Sequence, residues 1–225
     1  MSKKSLLLYA EEEILIAAVR ENFKTVAAKE FDLYHDNTAE LMAMAQGAEL
    51  VLCPGGCLKP MAAGVYAIND AALEDASDTA FGIGIYDAVM KAADEVAKAL
   101  QIPAYFTDAM SVDELLPLNR VRSNNAVPKY SRGYRAEHMA ALKKALGDVR
   151  LENGNYIVAY IDNLVSVGAY SRGSCLEMND CIGGEGPMGF TSAGDVPCAQ
   201  LATYQFSPSS SSYIISSSSS FSSRR

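Results

Sequence analysis

The sequence predicts an α/β fold, on two observations. Short apolar runs of strand character alternate with segments of helical apolar spacing through the first 150 residues, and from Asn155 the pattern changes to closely spaced strands separated by turn residues. Alternation of the first kind builds a sheet covered by helices, and the second kind reads as a β-hairpin followed by a third strand. A chain of 225 residues accommodates one or two domains and buries a sizeable core.

Taken in order, residues 5–9 form a short apolar strand. Glu11 to Asn22 places Ile14, Leu15, Ala18 and Val19 at helical spacing and predicts a helix. Val26 to Leu33 reads as a strand, and Asn37 to Gln46 as a helix with Asn37 or Thr38 as cap and Gly47 as stop. Glu49 to Cys53 is a buried strand ending at the Gly55-Gly56 turn. Val65 to Ile68 is another strand, after which Asn69 caps a short helix through Glu74. Ile85 to Leu100 is the strongest helix, with Val89, Ala93, Val96, Ala97 and Leu100 on one face. Pro103 precedes a strand at Ala104–Thr107, and Ser131 to Gly147 is a second strong helix. Asn155–Tyr160 and Val165–Tyr170 form the hairpin, and Cys175–Met178 the third strand.

Composition narrows the function classes. A net charge of −8 argues against nucleic-acid and anionic-membrane partners, which need basic patches. The apolar run Leu6–Tyr9 is too short for a signal peptide, and no stretch is long enough to span a bilayer, so a cytoplasmic protein is expected. The five cysteines (Cys53, Cys57, Cys175, Cys181, Cys198) are odd in number and come without an export signal, against a disulfide framework; their spacing is too loose for zinc, so they read as buried thiols and no metal site is expected from them. The two histidines, His35 and His138, read as surface or structural residues. From Ser207 to Arg225 serine dominates without periodicity; such a segment cannot bury enough apolar surface to offset its ordering entropy and is expected to be disordered. A linker, a phosphorylation tail and an out-of-frame stretch all fit that composition, and the last is favoured because the break falls inside a domain.

Several motifs follow one another between Glu49 and Leu201. They are Gly55-Gly56-Cys-Leu-Lys59-Pro60, Ile102-Pro-Ala-Tyr-Phe-Thr-Asp108, Asn119-Arg120-Val121, Met178-Asn179-Asp180 and Gly183-Gly184-Glu185-Gly186-Pro187. In this order and spacing they resemble landmarks of the butyrate kinases, in the acetokinase branch of the sugar-kinase, Hsp70 and actin superfamily. The resemblance implies a ribonuclease-H-like first lobe over 1–150, the start of an incomplete second lobe over 151–206, and a disordered tail over 207–225. It implies phosphoryl transfer between ATP and a short-chain carboxylate (butyrate to butyryl phosphate), with Mg²⁺, in a homo-oligomeric family whose interface region is expected to be missing here. It places Asp108 and Arg120 at the reacting centre and Gly55, Gly56, Gly184, Glu185 and Gly186 at the cofactor. Glycine turns let backbone N–H groups approach phosphates, and cations neutralise the carboxylate and the phosphoryl in flight.

The departures from the family pattern are equally specific. The family's first phosphate hairpin, Asn-Pro-Gly-Ser-Thr-Ser-Thr-Lys, is replaced by Ala10-Glu11-Glu12-Glu13, whose carboxylates repel phosphate. The arginine of Gly-Arg-Gly-Gly is absent from Cys53-Pro54-Gly55-Gly56, and a second arginine aligns with Ser192. The His-Leu-Gly-Gly-Gly loop appears as Tyr160-Ile161-Asp162-Asn163-Leu164, and the histidine before the second lobe aligns with Tyr134. A catalytically inactive relative without nucleotide binding, or a regulatory binding protein, is therefore the alternative expectation.

Overall fold

The computed structural model describes residues 3–78, 85–121, 126–147 and 151–197. The expected serine-rich tail, Cys198 and the residues up to 206 lie outside the described residues.

The first sheet has six strands in the order β3-β2-β1-β4-β6-β5. These are β1 (Lys4–Glu11), β2 (Ile14–Glu21), β3 (Lys24–Asp32), β4 (Leu50–Pro54), β5 (Val65–Ala67) and β6 (Ala104–Thr107). β1, β4 and β6 run parallel, while β2, β3 and β5 are antiparallel to their neighbours. Helices α1 (Thr38–Met44) and α2 (Asp70–Ser77) pack on α3 (Ile85–Leu100), which lies on β1, β4 and β6. Val89, Met90, Ala93 and Val96 of α3 are fully buried beside Leu6, Leu8, Val51 and Cys53. Each of the valine, leucine and methionine side chains among them contributes roughly 1.5–3 kcal/mol relative to exposure.

One expected element changes class. Glu11 to Asn22 is not a helix: Ile14–Glu21 is strand β2, paired with β1 from Lys4↔Glu21 to Glu11↔Ile14. Two tight turns make the meander possible. Glu12 takes φ 53° between β1 and β2, and Asn22 and Phe23 take φ 48° and 67° between β2 and β3, as a two-residue twisted hairpin turn requires. Neither turn contains the glycine that marks such sites in sequence. Leu15, Ala17, Ala18 and Val19 are buried, so both faces of β2 are covered at its centre, and eight residues suit a strand better than a helix.

The other differences are local. Asn37 precedes α1, but its side-chain amide donates to Asp32 O at 2.6 Å and His35 O at 3.0 Å and does not cap the helix. Asn69 does cap α2, accepting from Ala72 N at 2.9 Å. The helix expected from Ser131 begins at Arg135, as α4 (Arg135–Leu146). Ser131 donates to Val112 O at 2.8 Å, and Arg132 is bridged to Asp180, so those residues are committed elsewhere.

The second sheet, β7 (Asn155–Ile161), β8 (Val165–Ser171) and β9 (Ser174–Met178), is an antiparallel meander with α4 against β7. Its core of Leu142, Tyr170, Cys175 and Met178 is small, and Ile157 and Ile161 are exposed on β7. Glu114, Asn119, Lys129 and Arg132, from the segments between the sheets, strap this sheet to the first. Glu114 accepts from Cys175 N at 2.9 Å, Asn119 donates to Leu176 O at 2.8 Å, Lys129 pairs with Glu177, and Arg132 pairs with Asp180.

Candidate active-site cleft

Parallel strands deliver their carboxyl ends to one edge of a sheet, where α/β proteins place ligands. Here β1 ends at the Glu11-Glu12-Glu13 turn, β4 at Gly55-Gly56, and β6 at Asp108. The structure thus brings Asp108 beside the Gly55-Gly56 turn. Gly55 N donates to Thr107 O at 2.7 Å, and Met110 N donates to Gly55 O at 3.2 Å and Gly56 O at 3.1 Å. Both glycines are buried. A Cβ on Gly55 would lie 2.7 Å from that of Ala109, and one on Gly56 would collide with Tyr86. These glycines admit close packing of one turn on the other.

Asp108 takes φ 50°, and its carboxylate is one-third exposed (33%). Oδ2 accepts from Thr107 Oγ1 at 3.2 Å, and Oδ1 lies 3.8 Å from Arg135 Nε. Arg135, at the first turn of α4, is almost wholly buried, with Nη1 also 4.0 Å from Glu114 Oε2 and its guanidinium 5.5 Å from the Tyr170 ring.

Acidic groups gather around this pair. Burial pushes the Glu137 carboxyl up from its ordinary range, and the charges of Asp108 and Asp162 add to the effect. Tyr134 and Tyr160 pack with centroids 5.1 Å apart, and burial raises both phenols. The charges of Asp162, Glu137 and Glu11 also act on Tyr160. Asp162 and Asn163 present carbonyls to the chain that follows: Phe190 N donates to Asp162 O at 3.1 Å and Thr191 N to Asn163 O at 3.0 Å.

The glycine-rich loop closes on itself. Gly183 N donates to Asp180 Oδ1 at 2.9 Å, Gly184 N to Cys181 O at 3.3 Å and Glu185 N to Asp180 O at 2.9 Å. Glu185 Oε2 accepts from Asp180 N at 2.8 Å, and the Asn179 amide reaches Glu185 O at 2.6 Å. Gly184 and Gly186 hold φ 83° and 96°.

Arg120 forms a two-pronged pair with Asp113, at 2.8 and 2.6 Å, which holds the guanidinium even more firmly protonated than usual. It lines a cavity of about 500 Å³ with Pro60, Met61, Pro128, Lys129 and Tyr130. Lys59 pairs with Asp75 at 2.6 Å. Cys53, Cys57, Cys175 and Cys181 are buried, and burial pushes Cys53 and Cys181 up to about 12. No cluster of three or more His, Cys, Asp or Glu placed to hold a metal occurs among the described residues. No helix among them is long and apolar enough to cross a membrane.

Arg135 and Glu137 are the residues sequence reasoning missed. The signal was present in the alignment of the family histidine with Tyr134, immediately before Arg135.

His138 is structural. It is fully buried, with Nδ1 2.8 Å from Tyr170 Oη and Nε2 3.1 Å from Ser166 O. Burial lowers its affinity for a proton; the bond to Ser166 opposes this and the Arg135 charge reinforces it. The unfolded chain takes up this proton near pH 6.5 and the folded chain only at lower pH, so the unfolded state binds more protons in between. Stability should therefore fall as pH drops below about 6.5, by up to ~1.4 kcal/mol per pH unit from this group. Glu137, protonated more readily when folded, contributes a slope of opposite sign above its unfolded value of 4.5. Urea midpoints of the wild type and His138→Gln between pH 5 and 7.5 isolate the histidine: the difference between the two should shrink with acid.

No family model matches the chain. A curated protein described as a probable butyrate kinase, from Coprothermobacter proteolyticus, is 29% identical over 198 residues, which is 84% of this chain and 55% of that protein. The chain is a relative of the butyrate kinases. It spans about half the length of the curated relative it matches. Among solved structures, the acetate kinase of Porphyromonas gingivalis aligns with a TM-score of 0.70 at 14% identity, over 95% of this chain and 67% of that one. A propionate kinase from Francisella tularensis aligns with a TM-score of 0.67 at 13% identity, over the same shares of 95% and 67%. These two likenesses establish the shared α/β fold of this butyrate kinase relative.

Proposed function

We propose that this chain is a carboxylate phosphotransferase of the butyrate kinase kind, working between ATP and a short-chain acid with a weak hold on the nucleotide. The observation that supports the reading is Asp108 at the carboxyl end of β6, beside the Gly55-Gly56 turn and facing the buried Arg135. In the proposed reaction an acid oxygen attacks the γ-phosphorus, an acyl P–O bond forms, and the bond to ADP breaks. Such chemistry depends mainly on positioning and electrostatics. Asp108 is the group that would hold Mg²⁺. Mg²⁺ takes one or two protein carboxylates and completes its shell with water and phosphate oxygens, so a single partly exposed carboxylate fits. The ion would supply neutralisation of phosphate charge. Gly55, Gly56, Gly184, Glu185 and Gly186 would shape the walls of the nucleotide site. Arg120 would meet the acid only by exchanging Asp113 for it.

A second reading, a relative without nucleotide binding, is favoured by the carboxylates Glu11, Glu12, Glu13 and Asp162, which stand where the family pattern has its two phosphate loops. Each lost phosphate donor in such a site reduces rate by about 10²–10³. Calorimetry with Mg-ATP should show no saturable heat up to about millimolar nucleotide, the regime of some 4 kcal/mol or less of binding free energy. Hydroxylamine trapping of acyl phosphate at high ATP and butyrate then separates the readings. Slow product formation that Asp108→Asn abolishes supports the enzyme; no product from the wild type supports the second reading, and micromolar ATP affinity excludes it.

A further inference from the structure

We propose that Arg135 is the positioning residue of this cleft: its guanidinium fixes the Asp108 carboxylate and, through Glu114, ties it to strand β9 of the second sheet. Its relevance to catalysis rests on the reading of Asp108 given above, but the linkage itself does not.

The guanidinium of Arg135 is about 5% exposed, and its Nε and Nη1 make no hydrogen bond among the described residues. A buried guanidinium without partners is costly, and arginine cannot shed its proton to escape the cost. Two carboxylates compensate it from opposite chain segments: Asp108 Oδ1 at 3.8 Å from Nε and Glu114 Oε2 at 4.0 Å from Nη1. Those separations exceed a hydrogen bond but lie within ion-pair range, so each carboxylate keeps a second attachment. Asp108 accepts from Thr107 Oγ1 at 3.2 Å. Glu114 accepts from Cys175 N at 2.9 Å and Ala63 N at 3.3 Å. The chain of contacts therefore runs from the cleft carboxylate through Arg135 and Glu114 to the backbone of β9. Tyr170, whose ring lies 5.5 Å from the guanidinium and whose hydroxyl meets His138, closes the apolar side.

This arrangement also answers a question the sequence raises. The arginines that the family pattern places in Gly-Arg-Gly-Gly and in Arg-Ser-Gly are absent from positions near Cys53 and Ser192. Arg135 restores a positive charge beside Asp108 from a different element, helix α4. Because the cation is buried, it acts on substrate only through Asp108, which makes it a positioning residue.

The test uses the full chain and backbone amide spectra with hydrogen exchange. Asp108→Asn alters a partly exposed side chain and should leave the fold intact. It should shift the Asp108–Met110 amides and, through Arg135 and Glu114, speed exchange at the Cys175 amide. Arg135→Lys keeps the charge without the fork and should reproduce the faster Cys175 exchange. In the Asp108→Asn/Arg135→Lys double variant the Cys175 effect should be no larger than in Arg135→Lys alone. Unchanged Cys175 exchange in both single variants would overturn the proposal, whether or not the wild type is active. If acyl phosphate is formed, Arg135→Lys should lower kcat while leaving the KM for ATP within about twofold, as expected for a group acting in the transition state rather than in uniform binding. A rate unaffected by Asp108→Asn would defeat the functional reading of Asp108 while leaving the exchange result to decide the linkage.

Discussion

Asp180→Ala is expected to cost about 3–5 kcal/mol of unfolding free energy, the range for removing one partner of a buried ion pair. Asp180 receives Arg132 through two bonds, Nε at 2.8 Å and Nη2 at 2.6 Å, with the side chains 16% and 10% exposed. Deleting the carboxylate leaves the largely buried Arg132 guanidinium without its two-pronged acceptor, and also removes the acceptor for Gly183 N. The pair joins the two sheets where Cys181 N donates to Arg132 O at 3.0 Å, so its loss loosens the strap as well as the loop. Arg132→Met in the Asp180→Ala background should recover part of the loss, because the buried charge is then gone from both sides. Urea unfolding of the single and double variants checks this. A loss below about 1 kcal/mol for Asp180→Ala would place the pair with ordinary surface bridges.

The sequence revealed the strands and helices whose burial pattern was unambiguous. Ile85–Leu100 and Ala104–Thr107 match the structure at both ends because a full apolar helix face and a proline-bounded apolar run admit one interpretation. The Glu11–Asn22 segment failed because β2 is buried within a mixed sheet. Leu15, Ala17, Ala18 and Val19 are all interior, which erases the period-two alternation and mimics a helical stripe. The turn at Asn22-Phe23 adopts left-handed backbone without glycine, so nothing in composition announced it.

In the cleft, Asp108 and the Gly55-Gly56 turn could be found by motif, since both sit at strand ends in a fixed order. What they contact could not. Arg135 reaches Asp108 from a helix 27 positions later, a pairing created only by the packing of α4 against the second sheet. Glu137 is similar: its raised carboxyl depends on burial together with Asp108 and Asp162, which come from separate loops. Long-range juxtapositions of single charged residues leave no periodic trace in a sequence.

The glycine-rich loop should reveal its role through two alanine substitutions with different penalties. Gly184 and Gly186 both lie in left-handed backbone, at φ 83° and 96°, where a Cβ costs roughly 1–2 kcal/mol. At Gly184 nothing lies within 4 Å of the added carbon, so strain is the whole effect. At Gly186 the carbon would sit 2.5 Å from Asn179 Nδ2. Asn179 is the hub of this corner: Nδ2 donates to Val165 O at 2.9 Å and Glu185 O at 2.6 Å, and Oδ1 accepts from Val167 N at 2.6 Å. Displacing the amide adds up to about 1 kcal/mol for each bond lost, so Gly186→Ala should cost roughly 3–4 kcal/mol against about 1–2 for Gly184→Ala. Thermal and urea unfolding of the two variants side by side make the comparison. Equal losses would mean that Asn179 moves aside freely and that backbone strain alone explains both glycines. The predicted gap would show that Gly186 is required by the packing of its own loop, a demand that exists with or without a phosphate in the cleft.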